Sequence, residues 1–339
     1  MKATLHTWNY GIQRARGIAV LSVIFFHFFD LSIFWGRFGV NLFFCISGFL
    51  MIKILVIQSP RGVSLTSFLK KRFVRLYPAL FFSVVLIWTL SFLELIPGDM
   101  NQYLVTGFGY LLFLGNFSGV IIPGSGTTAV ALGHMWTLAL EWQLYFILAL
   151  FIKVIHKNQR YREISLYVFG IVSSLIILLI YFVDLTAQSI IVNSLMCTSC
   201  FLFGAISFLM NQSTRIHSII GKVFPLLIFS MSCFVDSIGN AEQLRESLQV
   251  MSISLFVFLI CKDSNVLVFR PMDFLGRISY SYYLLHYPVY FLMNQYFPTP
   301  NLLIKLVSIF IATFLAYLSW WKIESHFWRP SLRDAGGDG

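Results

Sequence analysis

Long apolar stretches, separated by short polar or basic segments, recur along the whole chain. Eleven such stretches can be distinguished, and most have the roughly 20 residues that an α-helix needs to cross a bilayer. They lie at residues 17–35, 38–57, 76–96, 103–122, 134–153, 164–184, 188–210, 220–238, 247–261, 278–297 and 302–323. The pattern predicts an all-α polytopic integral membrane protein, a bundle of spanning helices.

The composition supports the same class. Of the 339 residues, 58% are hydrophobic and only 11% are charged, against about 25% charged in an average soluble domain. A soluble core of this size would need more polar surface, so a soluble enzyme, a disordered regulator and a secreted disulfide scaffold are excluded. The five cysteines lie in apolar stretches, and no second pair or histidine cluster completes the Cys197-x-x-Cys200 spacing. We therefore expect no metal site.

The net charge of +10 reflects membrane topology, and we expect no nucleic-acid partner. If stretch 103–122 does not cross and the N-terminus is cytoplasmic, 21 of the 24 Lys and Arg residues fall on the cytoplasmic side. Only Arg37, Arg245 and Lys305 are then outside. If that stretch did cross, 12 of the 21 would move outside, against the positive-inside rule. We predict about ten spanning helices, with both termini in the cytoplasm.

Stretch 103–122 is rich in glycine and is better suited to an external or re-entrant segment buried against protein than to a lipid-facing helix. The first apolar run contains His27 and Asp30 and lacks a small-x-small cleavage site, so it is interpreted as an uncleaved span. We expect one membrane-embedded domain over residues 1–333 and a short polar cytoplasmic tail at 334–339.

His27 is the first ionisable residue that needs a reason to lie inside a membrane. It lies ten residues into the first stretch, about 15 Å deep at 1.5 Å per residue and so near the midplane. Arg16, eleven residues earlier, shares its helix face. Asp30 could accept a hydrogen bond from one His27 nitrogen and stabilise its protonated form. The alternative is a core histidine that is hydrogen-bonded to a neighbouring helix.

Two further stretches carry ionisable side chains towards the same level. Glu141 lies seven residues into its stretch and His286 nine residues into another, while His134 lies on the face of Glu141 at the outer rim. A buried hydrogen-bond network that only stabilises the bundle is the alternative for Glu141 and His286. Arg72 and Arg75, three residues apart before the third span, suit bidentate binding of phosphate. The alternative for this basic cluster is that it serves only as a positive-inside signal.

These residues occur within a series of motifs, which are Arg16-(ten residues)-His27, Phe43-Phe44-Cys45-Ile46-Ser47-Gly48, Arg72-x-x-Arg75, the segment from His134 to Tyr145, the segment from Gly276 to Pro288, and Glu324. The order of these motifs resembles that of the acyltransferase 3 family of bacterial membrane proteins, over nearly the whole chain. Thr137 stands where the family usually has Ser, and Trp142 where a second Glu is common.

The resemblance implies a multi-pass O-acyltransferase of the bacterial inner membrane. Family members usually transfer acetyl from acetyl-CoA, with no tightly bound cofactor, to cell-surface carbohydrate such as O-antigen, exopolysaccharide or a Nod factor. The other expected partners are membrane lipid and an acceptor that could be polyprenyl-linked. A transporter or flippase for a lipid-linked sugar is the alternative, because it would also place ionisable groups at mid-depth.

The same resemblance assigns roles to particular residues. His27 would be the catalytic histidine, supported by Asp30, with Glu141 and His286 lining the site. Arg16, Arg72 and Arg75 would hold the CoA phosphates, and close packing at Ser47 and Gly48 would form the donor channel. The motifs leave open whether His27 acts as a base or itself takes up the acyl group.

Overall fold

The structure is a computed structural model. It describes residues 10–31, 33–57, 64–117, 130–155, 190–211, 242–262 and 269–327, together with three helical positions between 168 and 175. All regular structure in these residues is helical. The predicted spans at 164–184 and 220–238 lie almost entirely outside the described residues, as does the tail at 334–339.

Nine α-helices of at least three turns form the described part of the chain. They are α1 (Tyr10–Phe29), α2 (Ile33–Ile57), α3 (Leu65–Phe92), α4 (Met100–Leu111), α5 (Trp136–Ile155), α6 (Ile190–Asn211), α7 (Glu242–Lys262), α8 (Arg270–Tyr296) and α9 (Leu302–Ser319). Short 3₁₀ turns cover Gly115–Phe117 and Val130–Met135. A π-helical turn, Trp320–Glu324, leads from α9 into the last turn, Ser325–Phe327.

Four segments of the described chain are long and apolar enough to cross a membrane: Tyr10–Phe29, Trp35–Leu55, Leu65–Phe92 and Leu302–Phe327. Asn193–Phe208 and Leu248–Val257 are apolar but shorter. A membrane helical protein is therefore consistent with the structure, while the total of ten spans stays a prediction.

Several helices begin at polar residues whose side chains satisfy the first free backbone N–H groups. Ser64 accepts from the Ser67 N–H at 3.3 Å before α3, and Asp99 accepts from the Asn101 N–H at 3.0 Å before α4. Asn301 does the same for α9 through the Ile304 N–H at 3.0 Å. These caps mark helix starts that hydropathy alone does not locate.

The chain divides into two compact units. The first comprises residues 1–26, 31–63 and 144–277, and the second comprises 27–30, 64–143 and 278–339.

Within the first unit, α2 and α6 approach closely through a reciprocal pair of glycines. A Cβ on Gly48 would overlap the carbonyl of Phe201, and a Cβ on Gly204 would overlap the carbonyl of Cys45. Small residues of this kind allow membrane helices to pack backbone against backbone. The buried amide of Asn41 donates to the Gln249 side chain at 3.3 Å in the same unit.

Within the second unit, α4 runs back along α3 in the antiparallel sense. The Trp88 indole N–H donates to the Tyr103 carbonyl at 2.8 Å, while Phe113 lies against Tyr77, with ring centroids 6.3 Å apart. Tyr77 is 15 residues before the end of α3, or about 22 Å along the helix axis. The 12 residues of α4 are too few for a span. Residues 103–113 thus fold back along α3, while the external or re-entrant placement of stretch 103–122 stays a prediction.

The turn that follows α4 is fixed by an amide pair. Phe113 has a left-handed backbone, with φ 57°, a conformation that is uncommon outside glycine. The Gln143 side-chain amide donates to the Phe113 carbonyl at 2.8 Å and also to the Asn116 side-chain oxygen at 2.9 Å. These bonds hold Phe113 stacked on Trp142, with ring centroids 4.7 Å apart.

Candidate active site

Three histidines and two tyrosines of the second unit form one cluster of rings. The His286 ring lies 5.3 Å from the His27 ring and 5.5 Å from the His134 ring, centroid to centroid. Tyr287 lies 4.9 Å from both His27 and His134, and Tyr290 lies 5.2 Å from His27. We call these five side chains the histidine–tyrosine cluster.

The members of the cluster come from three separate elements. His27 lies in the last turn of α1, two residues before that helix ends at Phe29. His27 is therefore close to the end of α1. Its position in the apolar stretch had suggested a place halfway along the helix. His134 lies in the 3₁₀ turn before α5, and His286 lies in α8.

The three imidazoles differ in access. His286 is completely buried and His134 is 8% exposed, whereas His27 is half-buried. His27 is thus the most accessible of the three to a reactant. The structure brings His27 and His286 together, as expected, and adds His134, which the sequence placed at the rim.

The tautomer of His286 is fixed by its own helix. Its Nδ1 lies 2.8 Å from the Tyr283 carbonyl oxygen and 3.1 Å from the Tyr282 carbonyl oxygen. Since a carbonyl oxygen only accepts, Nδ1 carries the proton and Nε2 carries the lone pair. Nε2 is buried and has no hydrogen-bond partner in the described part of the chain.

The tautomer of His134 is fixed through a proline in α8. Pro288 has no N–H to offer the carbonyl of Leu284, four residues earlier. That carbonyl oxygen instead lies 3.2 Å from His134 Nε2 and 3.3 Å from the Ser83 hydroxyl, and both donate to it. His134 Nε2 is therefore protonated, and the lone pair is on Nδ1. Among the described residues, the buried Nδ1 has no hydrogen-bond partner.

A hydrogen-bonded triangle holds the 3₁₀ turn against α8. The Tyr283 hydroxyl donates to the His134 carbonyl at 2.9 Å and lies 2.8 Å from the Thr137 hydroxyl. Thr137 lies 3.2 Å from the same carbonyl. A threonine hydroxyl performs this role as a serine hydroxyl would, so the departure from the family residue at 137 leaves the network intact.

The structure corrects the expected partnership of Asp30. Its carboxylate accepts from Lys305 Nζ at 3.1 Å and is 74% exposed. The reason is local, because α1 ends at Phe29 and Asp30 takes a left-handed backbone with φ 52°. The chain thus turns at Asp30, and the helical spacing that would have set it beside His27 does not continue.

Glu141 and the predicted phosphate-binding arginines lie in α5, α3 and α1. Glu141 is half-buried in the second turn of α5, beside Trp142. Arg72 and Arg75 are half-buried in the first half of α3, with the Arg72 guanidinium 5.8 Å from the Phe68 ring centroid. Arg16 is half-buried in α1. The roles assigned to these residues stay predictions.

Ser47 and Gly48 lie in α2, where both have structural contacts. The Tyr145 hydroxyl donates to the Ser47 hydroxyl at 3.4 Å. Gly48 is the point at which α2 meets α6. Helix packing therefore accounts for Gly48 without a ligand.

The structure adds residues that the sequence did not assign. Glu324 accepts from the Ser281 backbone N–H at 3.0 Å and from the Ser281 hydroxyl. Arg14 and Asp273 form a two-pronged ion pair, with the shorter distance 2.9 Å, at the start of α8. The sequence contains one signal for the role of His134. Pro288 lies within a predicted helix and cannot donate to the Leu284 carbonyl, so that carbonyl must accept a hydrogen bond from another group.

The cluster can accept protons and hydrogen bonds. Neutral imidazole is the commonest general base in enzymes and can also act as a nucleophile. In the described residues, no group of three or more His, Cys, Asp or Glu has the arrangement of a metal site. The lone pairs on His134 Nδ1 and His286 Nε2 can each accept a hydrogen bond.

Comparison with known proteins relates this arrangement to acyl transfer. A family model described as "acyltransferase domain" matches residues 9–321. O-acetyltransferase OatA of Staphylococcus aureus is 25% identical over 93% of this chain and 56% of its own length. Peptidoglycan O-acetyltransferase OatA of Listeria monocytogenes is 26% identical over 93% and 55%, respectively. Putative peptidoglycan O-acetyltransferase YrhL of Bacillus subtilis is 25% identical over 95% and 55%.

The chain thus spans about half the length of the curated relatives it matches. No solved structure matches the chain significantly.

Proposed function

The chain belongs to the acyltransferase 3 family, and on this premise we propose that it is a membrane O-acetyltransferase that moves acetyl from acetyl-CoA to a carbohydrate hydroxyl. The observation that carries the proposal is the position of His27, the most accessible imidazole of the histidine–tyrosine cluster. The family match supplies the reaction class, and the cluster supplies a group able to perform it.

The acceptor in this proposal is a peptidoglycan strand. Two of the relatives carry peptidoglycan in their names, and this favours a cell-wall glycan over the O-antigen of lipopolysaccharide, the exopolysaccharide or the Nod factor that the resemblance suggested. A glycan that is still attached to a polyprenyl carrier fits the same chemistry, because it carries the same sugar hydroxyls.

His27 would act on the acceptor hydroxyl in one of two ways. As a base, it takes the hydroxyl proton while the oxygen attacks the thioester carbonyl carbon. The carbon–sulfur bond breaks, and the CoA thiolate leaves and is protonated by the imidazolium. As a nucleophile, His27 itself takes the acetyl group and CoA leaves as the thiolate. The acceptor oxygen then displaces the imidazole from the acetyl carbon, and the hydroxyl proton passes to the CoA thiolate.

The donor would enter from the basic cytoplasmic side of the predicted topology. Acetyl-CoA is highly anionic, and guanidinium groups bind phosphate in a bidentate manner. Arg72 and Arg75 lie one turn apart on α3, and Arg16 is a further candidate on α1. The long pantetheine arm would carry the thioester from that side to His27, so CoA itself need not cross the membrane.

The test is a two-substrate assay on the purified full chain in lipid nanodiscs. Acetyl-CoA labelled in the acetyl group is mixed with soluble peptidoglycan fragments, and both free CoA and labelled glycan are measured. We expect equal amounts of the two products. Failure to bind or consume acetyl-CoA, together with movement of a lipid-linked sugar across the membrane, would instead indicate the flippase.

A further inference from the structure

We propose that His134 Nδ1 and His286 Nε2 together form the binding site for the acceptor's hydroxyl groups. This inference rests on the proposed function and deepens it, because it assigns the acceptor subsite to two particular ring nitrogens. Pro288 contributes to the site by fixing the tautomer of His134.

His134 Nδ1 and His286 Nε2 both need a hydrogen-bond partner. Buried polar atoms in proteins are nearly always hydrogen-bonded, so an unpartnered one indicates a missing partner. His134 Nδ1 and His286 Nε2 both lack one among the described residues. Their rings are 5.5 Å apart and both contact Tyr287. Two such atoms in one cluster are better explained by a ligand than by two independent defects.

The two nitrogens require a ligand that carries hydrogen-bond donors. Each nitrogen carries a lone pair and no proton, because its ring partner is committed to a carbonyl oxygen. The ligand must therefore supply hydrogen-bond donors. The acetyl thioester has no O–H or N–H group at its reacting end, whereas a sugar has several hydroxyls. The two nitrogens thus match the acceptor and not the donor.

The site lies beside the reacting group. His286 and Tyr287 both contact His27 and His134. A glycan hydroxyl held on His286 Nε2 or His134 Nδ1 would present a neighbouring hydroxyl of the same sugar towards His27. His134 and His286 would then bind and orient the acceptor, while His27 performs the chemistry.

Pro288 determines which nitrogen of His134 carries the proton. An ordinary residue at 288 would donate its N–H to the Leu284 carbonyl. The Leu284 carbonyl would then bind His134 Nε2–H less strongly. The tautomer with the proton on Nδ1 would become more favourable, and Nδ1 would then be a donor. Pro288 prevents this, since it leaves the Leu284 carbonyl to His134 and Ser83.

The test compares two isosteric replacements of His134. In H134Q the amide can still donate to the Leu284 carbonyl, but the acceptor at the Nδ1 position is lost. In H134N the side-chain oxygen takes the place of Nδ1, but the bond to Leu284 is lost. The exposed His326, replaced as H326Q, is the matched control. Each protein is assayed for the KM of a soluble peptidoglycan disaccharide, the KM of acetyl-CoA, and direct binding of the disaccharide without acetyl-CoA.

We expect H134Q to raise the acceptor KM and weaken disaccharide binding by about tenfold, the effect of one lost hydrogen bond, with the KM of acetyl-CoA unchanged. H134N should retain more binding than H134Q, and P288A should weaken binding to a smaller extent. Wild-type binding in H134Q, or a greater loss in H134N than in H134Q, would overturn the proposal and leave His134 a purely structural role.

The binding arm separates this inference from the proposed function. If the disaccharide binds and H134Q weakens that binding but no acetyl is transferred, the acceptor site is supported and the proposed O-acetyl transfer is refuted. If acetyl is transferred and H134Q behaves as wild type in binding and KM, acetyl transfer stands and the acceptor site fails. If the disaccharide neither binds nor is acetylated, this acceptor site is wrong as stated.

Discussion

Replacing Gly48 by alanine should destabilise the first unit without a specific effect on donor binding. The Cβ that G48A adds would overlap the Phe201 carbonyl, which belongs to helix backbone and cannot rotate away. The two helices must then separate, and overpacking of this kind costs about 1–3 kcal/mol. A similar cost is expected for G204A, whose Cβ would meet the Cys45 carbonyl.

The reciprocal geometry adds a sharper expectation for the double variant. One separation of α2 from α6 relieves both overlaps, so the cost of G48A with G204A should be smaller than the sum of the single costs. Gly133 provides a matched control, because among the described residues no atom beyond its own chain neighbours lies within 4 Å of the position that its Cβ would occupy. G133A should therefore be as stable as the wild type.

The assay is thermal unfolding of the purified full chain in detergent, with the KM of acetyl-CoA measured below the transition. We expect a lower transition temperature in G48A and an unchanged KM. Wild-type stability with a raised KM would refute the packing argument and support the donor channel predicted from the sequence. Strictly additive costs in the double variant would contradict the shared separation of the two helices.

Two further predictions follow from contacts of the second unit. D30N should keep the rate of acetyl transfer within about twofold of wild type, because the Asp30 carboxylate is exposed and pairs with Lys305, and exposed ion pairs contribute little. A hundredfold loss of rate in the two-substrate assay would instead place Asp30 in the active site. E324Q should lower the free energy of unfolding by about 1–2 kcal/mol, because the charged carboxylate that accepts from two Ser281 donors becomes a neutral amide. A free energy of unfolding in detergent equal to that of the wild type would contradict this.

Hydropathy and charge located most of the described helices, because membrane helices are defined by length and apolarity. The predicted stretches 188–210 and 302–323 coincide closely with α6 and with α9 and its π turn. The starts of α3 and α8 were missed by about ten residues. Both helices begin in polar or basic segments, which a search for apolar residues passes over.

The candidate site was predictable in part. His27 and His286 could be paired from their depth in two stretches, and the structure brings them together. His27 lies near the end of α1 because that helix begins and ends earlier than its apolar run suggests; its depth in the membrane stays a prediction. His134 could not be placed beside them, since that contact depends on a 3₁₀ turn and on the carbonyl that Pro288 leaves free.

The ion pair of Asp30 shows a different limit of sequence reasoning. Its spacing from His27 indicated a shared helix face, but that inference holds only while the helix continues. A single left-handed residue at 30 ends it and directs the carboxylate to Lys305, 275 residues away in sequence. No local pattern reveals such a partner.

The central claim, that His27 performs acetyl transfer, is tested most directly by H27A in the two-substrate assay, with H326A as the control. A positioned base or nucleophile contributes about 10²–10⁴-fold to rate. We expect at least a hundredfold loss of labelled glycan in properly inserted H27A and a wild-type rate in H326A. A wild-type rate in H27A would contradict the account.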